Sequence, residues 1–361
     1  MIQFGVQAGI MRSIAILLGL VLTASVFGQP EPKMAKKKKN EDKEPVTQSL
    51  PLLPVPPLVI SAETGRLTFQ LSPLSSKGLL SQQSRDALKA LMQSNHGAPI
   101  VRVRAFVAGT GDMRRVQQII SEAFTEKKLP LPVLTTVQVG ALPMVGAQVE
   151  MEAVSEDKRV VNPDGVVFFP GAAATDIQAA ATQLRGAVER SGVGAAGVLS
   201  VTCFASSIGD NEAARAGLAA AFPAAVLNLM EAQRSPVDRF ALCEAAGHIE
   251  PGKTIVPGPQ AVVVKTPKVV FSGIQMAFGR EDSDLRLAFE RLDKAIGSVG
   301  RTGGVEAVRF YAMDGSLSQK LPKLGRELFH KDSLAGSTVE VEGLPSLDAS
   351  IGMEIIAGAE K

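Results

Sequence analysis

The feature that most constrains the fold is internal repetition: one strand pattern returns along the chain at a spacing of about 100 residues. Residues 135–154 read TTVQVGALPMVGAQVEMEAV, and residues 337–357 read STVEVEGLPSLDASIGMEIIA. Both are an alternating apolar strand, a Leu-Pro break and a second alternating strand. A weaker version, AVLNLMEAQRSPVDRFALCEAA, occupies residues 225–246. A spacing this long is domain-sized, so it predicts tandem domains rather than a solenoid.

The sequence that precedes each strand pair also repeats in register. Each copy contains two short β-rich runs around a turn, a helical stretch, a β run and a second helical stretch. The order β-hairpin, α, β, α, β, β predicts an α+β fold in which one sheet packs against two helices. Pro322 lies inside the last helical stretch and is expected to kink or delay that helix. The predicted units are residues 58–156, 157–249 and 250–361.

The segment before the repeats is typical of an export signal followed by a linker. The apolar run IAILLGLVL, residues 14–22, follows Arg12 and precedes small residues up to Gly28. It is well short of the roughly 20 residues that a membrane-spanning helix needs. We therefore expect residues 1–28 to be a signal peptide and the charged, Pro-rich residues 29–57 to be a solvated linker. An uncleaved N-terminal anchor is the alternative. After cleavage we expect a periplasmic or extracellular protein with no membrane association.

Composition removes several classes of function. The chain has 38 Lys and Arg against 36 Asp and Glu, a net charge of +2, and the basic surplus lies in the leader and linker. A nucleic-acid partner is therefore not expected, because such partners need a surplus of positive charge. With only three His and two Cys, a dense metal site is not expected either, and no motif calls for a cofactor.

The strand pattern resembles the reactive intermediate deaminase (Rid, YjgF-like) family, over roughly residues 58–359 and most specifically in the first and third units. The residues that carry the resemblance are Val137, Val139, Leu142, Pro143, Val149, Glu150, Glu152 and Ala153, and in the third unit Phe271, Ser272, Gly273, Val339, Val341, Leu344, Pro345 and Glu354. The family has a chorismate-mutase-like α+β fold and forms homotrimers with small-molecule clefts between subunits. Three copies in one chain would then form a monomeric, intramolecular pseudo-trimer.

The resemblance also implies site residues. In catalytic members an Arg on the penultimate strand, four residues before the Glu of a V-E-V motif, binds the substrate carboxylate, and a Glu on the last strand positions the attacking water. The corresponding Arg positions are Leu134, Ala224 and Gly336, so this cation is missing. The last-strand glutamates are retained, which makes them the candidate catalytic residues: Glu152, Glu244 and Glu354. The alternative is that they are ordinary exposed strand residues.

Three further positions are candidate ligand contacts. Ser272 and Gly273 match the family's strand end near the cleft, although Gly273 could simply permit a strand bend. Arg239, or Arg234, could replace the missing cation, and a surface arginine is the alternative. Cys203 and Cys243 fall on strands that are neighbours in the family's sheet, so they are either a disulfide or two buried thiols.

Together these features predict an exported Rid-like protein that binds a small metabolite in clefts between its repeats, with catalysis reduced or lost. An active imine or enamine deaminase with a relocated cation is the enzymatic alternative. A structural or interaction scaffold without any ligand is the third.

Overall fold

The computed structural model describes residues 52–209, 211–234, 238–257, 260–329 and 335–360. The expected signal peptide and residues 29–51 of the expected linker lie outside the described residues. From Leu52 onward the chain forms one compact unit. No helix in this part of the chain combines the length and the apolar character needed to cross a bilayer.

The first third of the described chain contains one four-stranded sheet and two helices. Its elements are β1 (Val59–Glu63), β2 (Leu67–Leu71), α1 (Leu80–Ser94), β3 (Ile100–Ala108), α2 (Met113–Glu126), β4 (Val133–Val139) and β5 (Val149–Glu156). The strand order in this first sheet is β2-β5-β3-β4. Strands β3 and β4 are parallel because α2 connects them, whereas β5 is antiparallel to both of its neighbours.

The rest of the chain repeats this arrangement twice. The second third contains β6 (Val166–Ala174), α3 (Ile177–Ser191), β7 (Val198–Ala205), α4 (Asn211–Ala221), β8 (Val226–Glu231) and β9 (Ala241–His248). The last third contains β10 (Val262–Val264), β11 (Lys268–Ser272), β12 (Gln275–Ala277), α5 (Asp282–Gly297), β13 (Arg301–Ala312), α6 (Gly315–Leu328), β14 (Ala335–Glu340) and β15 (Ile351–Ala359). The second sheet contains the order β6-β9-β7-β8, and the third contains β11-β15-β13-β14. The predicted α+β fold is therefore present.

The helices begin where a side chain can cap them and bury one apolar face. Asp112, Asp176 and Asp314 precede α2, α3 and α6, and each carboxylate accepts hydrogen bonds from backbone amides of the first turn. In α2 the buried side chains recur at helical spacing and include Val116, Ile120 and Phe124. Pro322 lies inside α6, but the helix still begins directly after its Asp314 cap, so the expected delay does not occur.

The expected hairpins at the start of the units are wrong. Strand β1 pairs with β11 of the third sheet rather than with β2, and β10 pairs with β6 of the second sheet. At the start of the second unit, the amides of Val161 and Asn162 both donate to the carbonyl of Gly65 at 2.8 Å, and no strand forms there. The leading strands β1 and β10 therefore each pair with a neighbouring sheet, and the leading segment of the second unit contacts the turn between β1 and β2. An alternating pattern specifies a strand and its buried face, but not which sheet edge that strand will cover.

The three sheets pack helices on one face and meet one another on the other face. We call the space where they meet the central interior. One apolar layer of it includes Val154, Phe168 and Phe271, and a second includes Phe106, Phe204 and Tyr311. Phe106 and Phe204 pack edge-to-face at 5.8 Å between ring centroids. Each apolar layer thus contains residues from all three sheets.

A disulfide joins two strands of the second sheet. Cys203 of β7 and Cys243 of β9 lie opposite each other in the antiparallel ladder, with their Cα atoms 4.1 Å apart. Both are buried in the core between this sheet and its helices. Of the two alternatives that the sequence leaves open, the structure has the bonded pair.

Candidate functional site

The three last-strand glutamates occupy the same register position in their three sheets. Glu152 of β5 lies opposite Arg104 of β3. Glu244 of β9 lies opposite Thr202 of β7, and Glu354 of β15 lies opposite Arg309 of β13. On the other side of these middle-strand residues, the penultimate strands place small polar residues at one further common position: Thr135, Asn228 and Ser337. Each sheet therefore contributes one polar row to the central interior.

Two of the glutamates bind polar groups of a neighbouring sheet. Glu152 of the first sheet accepts hydrogen bonds from Asn228 Nδ2 at 2.6 Å and from the hydroxyl of Thr202, both in the second sheet. Glu244 of the second sheet pairs with Arg309 of the third sheet. The rows of the three sheets are thus joined across the central interior and not only along each sheet.

Glu354 of the third sheet binds polar groups of the first sheet. Its Oε1 lies 2.6 Å from Nη2 of Arg102, and its Oε2 accepts a hydrogen bond from Thr135 Oγ1 at 2.6 Å. The hydroxyl of Tyr311 also donates to it at 3.0 Å. Contacts therefore run from the first sheet to the second, from the second to the third, and from the third back to the first.

Three arginines balance the three glutamates. Arg104 bridges two sheets, because its Nε donates to Glu152 at 2.7 Å and its Nη1 to Glu244 at 2.8 Å. The six charged side chains are between 3% and 15% exposed. Charges this buried persist only when they are paired, and here three positive charges meet three negative ones. We call Arg102, Arg104, Arg309, Glu152, Glu244 and Glu354 the charged layer.

The pKa values in the charged layer follow from burial and from the neighbouring charges. Burial alone would raise the pKa of Glu354, but Arg102, Arg104 and Arg309 together lower it to about 2. Burial and repulsion from Arg104 lower the pKa of Arg309 to about 10. Burial and the Glu354 carboxylate raise the pKa of Tyr311 to about 12. Glu354 therefore stays ionised and paired at neutral pH, which makes it a poor general base.

A cavity of about 90 Å³ lies against the charged layer. Its walls come from all three sheets and include Phe69, Phe168 and Ile356 as well as Arg102, Asn228 and Glu244. Among the described residues, Arg102 Nε and Asn228 Oδ1 are buried and have no hydrogen-bond partner. Unpaired buried polar atoms are rare enough to need an explanation.

A second cavity, of about 290 Å³, lies between the second and third sheets. We call it the lateral cleft. Its lining residues are Gly171, Ala173, Leu242, Val308, Phe310, Pro322, Arg326, Gly336, Ser337 and Thr338. Arg326 of α6 is the one charged side chain in this lining, and no carboxylate takes part in it. The chemistry of this cleft is therefore an apolar wall with hydroxyl groups and a single cation.

The candidate ligand contacts from the sequence line neither cavity. The Ser272 hydroxyl accepts a hydrogen bond from the amide of Ile355 at 2.9 Å. Gly273 packs against the first sheet, where a Cβ atom at this position would lie 2.8 Å from the carbonyl oxygen of Leu134, so only glycine fits without a shift. Arg239 is exposed in the connection between β8 and β9. The candidate glutamates, in contrast, are all brought together in the charged layer.

The structure corrects one of the three positions assigned to the missing family arginine. Leu134 lies opposite Val103, and Gly336 lies opposite Val308. The residue in the matching place of the second sheet is Leu227, opposite Val201, and not Ala224. The alignment of the second unit was thus wrong by three residues. None of the three positions carries a cation with either alignment.

Several charged residues of the interior were missed from the sequence. Arg102 and Arg104 alternate with apolar residues in β3, which placed both on one face of a strand and was a usable signal. Glu150 is a further buried acid, and burial together with repulsion from Glu152 raises its pKa to about 8. No group of His, Cys, Asp or Glu in the described part of the chain is arranged to hold a metal ion.

Comparison with known proteins gives one family match. The family model described as "Endoribonuclease L-PSP" matches residues 64–156. No curated protein sequence matches the chain. Similar solved structures include Rv2704 of Mycobacterium tuberculosis, a member of the YjgF/YER057c/UK114 family, at 29% identity, covering 26% of this chain and 80% of that one with a TM-score of 0.23.

Two other similar structures cover a comparable share of the chain. The YjgF gene product of E. coli is 21% identical and covers 29% of this chain and 94% of its own, with a TM-score of 0.24. Yeast Mmf1 is 16% identical over 31% of this chain and 90% of its own, with a TM-score of 0.23. The matched residues 64–156 contain the whole first sheet and both of its helices. The family match therefore falls on the first of the units in which the strand pattern resembles the Rid (YjgF-like) family.

Proposed function

We propose that the chain consists of three tandem Rid-like units, folded as an intramolecular pseudo-trimer, and that it binds a small metabolite between units without hydrolysing it. The three-unit arrangement is supported by the strand order that the three sheets share. It is also supported by the cyclic contacts of the charged layer, in which each unit's glutamate contacts the next unit. The family match covers the first unit only, so the other two rest on this structural equivalence.

The lateral cleft is the proposed binding site. Leu242, Val308 and Phe310 give it apolar walls, Ser337 and Thr338 are hydroxyl-bearing residues, and Arg326 brings a guanidinium. Small-molecule sites are typically apolar clefts with a few polar groups that fix orientation. A guanidinium binds carboxylates well because its planar fork can donate two parallel hydrogen bonds. The cleft therefore fits a small organic carboxylate with an apolar part.

The loss of hydrolysis rests on the position of the acids. Hydrolysis of an imine needs a group that takes up or positions a proton of the attacking water. The three retained glutamates lie in the charged layer, where arginines and hydroxyl or amide groups already bind them. No acid lines the lateral cleft. The guanidinium of Arg326 in the lateral cleft is therefore separated from the three glutamates of the charged layer. This separation is the observation that carries the proposal.

The enzymatic alternative is favoured by one residue. A carboxyl group with a pKa of about 8, such as Glu150, can exchange a proton near neutral pH. Glu150 Oε2 is buried and has no hydrogen-bond partner among the described residues. A deaminase could therefore use Glu150 in place of the three glutamates of the charged layer, but Glu150 lines neither cavity.

The test combines catalysis with binding. Wild type, Arg326→Gln and the control Arg286→Gln, an exposed arginine of α5, are assayed for ammonia release from 2-iminobutyrate and for calorimetric binding of small carboxylates. We expect no ammonia release above buffer. We expect binding that weakens about tenfold or more in Arg326→Gln, because a charged hydrogen bond is lost, and that is unchanged in the control.

Other results would favour the alternatives. Ammonia release that disappears in Glu150→Gln would establish the deaminase and overturn the proposal. If the protein binds no carboxylate and releases no ammonia, the remaining alternative is a structural or interaction scaffold without a ligand. Binding that is equally strong in Arg326→Gln would place the ligand outside the lateral cleft.

We also propose that the mature protein is exported. The leader supports this, and so does the disulfide between Cys203 and Cys243, because such bonds persist in oxidising compartments.

A further inference from the structure

The cavity in the central interior is separate from the lateral cleft, and the proposed function does not use it. It is built from all three sheets: Gln70 and Phe69 from the first, Thr202 and Asn228 from the second, and Ala307 and Ile356 from the third. Its polar side is the charged layer, and its apolar side includes Phe69 and Phe168, whose rings pack edge-to-face at 6.3 Å. A ligand there would lie between a polar wall and an apolar wall.

The charge of the surroundings limits what can enter. The charged layer already balances three arginines with three glutamates, and Glu354 stays ionised well below neutral pH. A ligand with a net charge would add an uncompensated charge to this buried environment, which is costly. A net-neutral ligand adds none. The occupant should therefore be uncharged overall.

The cavity wall contains one hydrogen-bond donor and one acceptor that have no partner. These two atoms favour a ligand with two chemically different ends. Arg102 is 8% exposed, and its Nε is a donor without a partner. Asn228 is 2% exposed, and its Oδ1 is an acceptor without a partner. Glu244 lies in the same wall and adds a negative charge. One end of the ligand should thus accept hydrogen bonds and the other should donate them.

The volume sets the size. The cavity has a volume of about 90 Å³, and one water molecule needs roughly 10–15 Å³ of such volume. The cavity therefore holds about six to nine non-hydrogen atoms on the same scale. We propose that it is a second ligand site, which takes a small zwitterion such as a short α-amino acid, with its carboxylate toward Arg102 and its ammonium toward Asn228 and Glu244.

The experiment compares zwitterions with their separate halves. Glycine, L-alanine and L-serine are titrated calorimetrically into the full chain carrying Arg326→Gln, which removes the guanidinium of the lateral cleft. Acetate and methylammonium serve as probes that each carry only one of the two charged ends. We expect one zwitterion bound per chain, and at least tenfold weaker binding of either half-molecule. Equal affinity for acetate would make the cavity an anion site, and absence of binding for every zwitterion would make it an unused void; either result overturns the proposal.

Two variants locate the binding. Asn228→Leu removes the acceptor, and Ala307→Leu fills the cavity while leaving every polar group of the charged layer in place. We expect each to weaken zwitterion binding at least tenfold, whereas the control Arg185→Gln, on the exposed face of α3, leaves it unchanged. If circular dichroism shows that Asn228→Leu does not fold, Ala307→Leu decides alone. Undiminished binding in Ala307→Leu contradicts the proposal.

The two sites can fail independently. The lateral cleft is tested with anions and with Arg326→Gln, and the central cavity with zwitterions and with Ala307→Leu. Zwitterion binding that survives the loss of carboxylate binding would leave this inference standing without the proposed function.

Discussion

Glu354 is a buried carboxylate surrounded by three guanidinium groups, and these groups determine its contribution to the protein. Its side chain is 3% exposed, and Arg102, Arg104 and Arg309 overcome the effect of burial and lower its pKa to about 2. A carboxyl group whose pKa falls on folding stabilises the folded state above its unfolded pKa and loses that effect as the pH falls through its folded pKa. For Glu354 this window runs from about pH 4.5 down to about pH 2.

Glu354→Gln should therefore be destabilising in a pH-dependent way. At pH 7 the free energy of unfolding should fall by about 3 kcal/mol, because the variant leaves three arginines with two counter-charges. The difference from wild type should narrow as the pH falls below about 4.5, where the wild-type carboxylate begins to lose its own stabilising effect. Urea unfolding at a series of pH values measures this.

A matched glutamate on the surface is the control for this prediction. Glu327 of α6 is 48% exposed and pairs only loosely, with Arg286 at 3.7 Å and Lys323 at 3.9 Å. Glu327→Gln should change stability by less than about 1 kcal/mol at any pH. A destabilisation of Glu354→Gln no larger than that of the control would show that the charged layer contributes nothing to stability.

For the individual residues of the charged layer, the sequence predicted the glutamates but not the arginines that pair with them. The glutamates at positions 152, 244 and 354 follow from the repeated strand, and the structure brings all three together. Their arginine partners come from other parts of the chain: Arg102 and Glu354 are 252 positions apart and meet only because the first and third sheets pack together. A local pattern gives the face of a strand, but a pairing across sheets depends on the tertiary arrangement.

Strand β1 joins the start of the described chain to the third sheet. It pairs along its whole length with β11, from Val59 opposite Ser272 to Glu63 opposite Lys268. The amides of Thr64 and Gly273 extend this contact, donating to the carbonyls of Pro267 and Leu58 at 2.9 Å. Without β1, strand β11 would be an exposed edge with unpaired backbone groups.

Removing β1 should therefore affect the third sheet more than the first. In a chain that starts at Gly65, the amides of β11 that face β1 should lose their protection from hydrogen exchange, while amides of β3 keep theirs. A chain that starts at Leu52 retains β1 and is the control. Uniform loss of protection across all three sheets, or unchanged protection in β11, would contradict this assignment of β1.

Helices were predicted from the sequence more accurately than the pairing of strands. A helical stretch was expected on each side of the β run of every unit, and α1 and α2 lie on the two sides of β3, because apolar periodicity is a local signal. The leading hairpins were wrong because the turn of residues Thr64–Arg66 carries the chain from one sheet to another instead of reversing it. Local sequence does not record that difference.

The whole molecule is proposed to be a trimer within one chain, and its size and location test that proposal. If the three units bury their contact surfaces against one another within one chain, the protein needs no second copy of the chain to form the trimer. Protein recovered from the periplasm or medium should then scatter light as a single chain and should have the mass of residues 29–361 by mass spectrometry. A scattering mass of three chains would overturn the intramolecular pseudo-trimer, and an intact leader would overturn its cleavage.

The three sheets carry different residues at matching positions, and this has a consequence for the central interior. In an assembly of identical subunits every residue near the symmetry axis appears three times, so a bound molecule meets three interchangeable walls. Here the matching positions hold Arg104, Thr202 and Arg309, and Arg102 has no charged equivalent, since Ser200 and Ala307 stand in its place. A molecule bound among these walls therefore has a single orientation, and each wall can change by mutation without altering the other two.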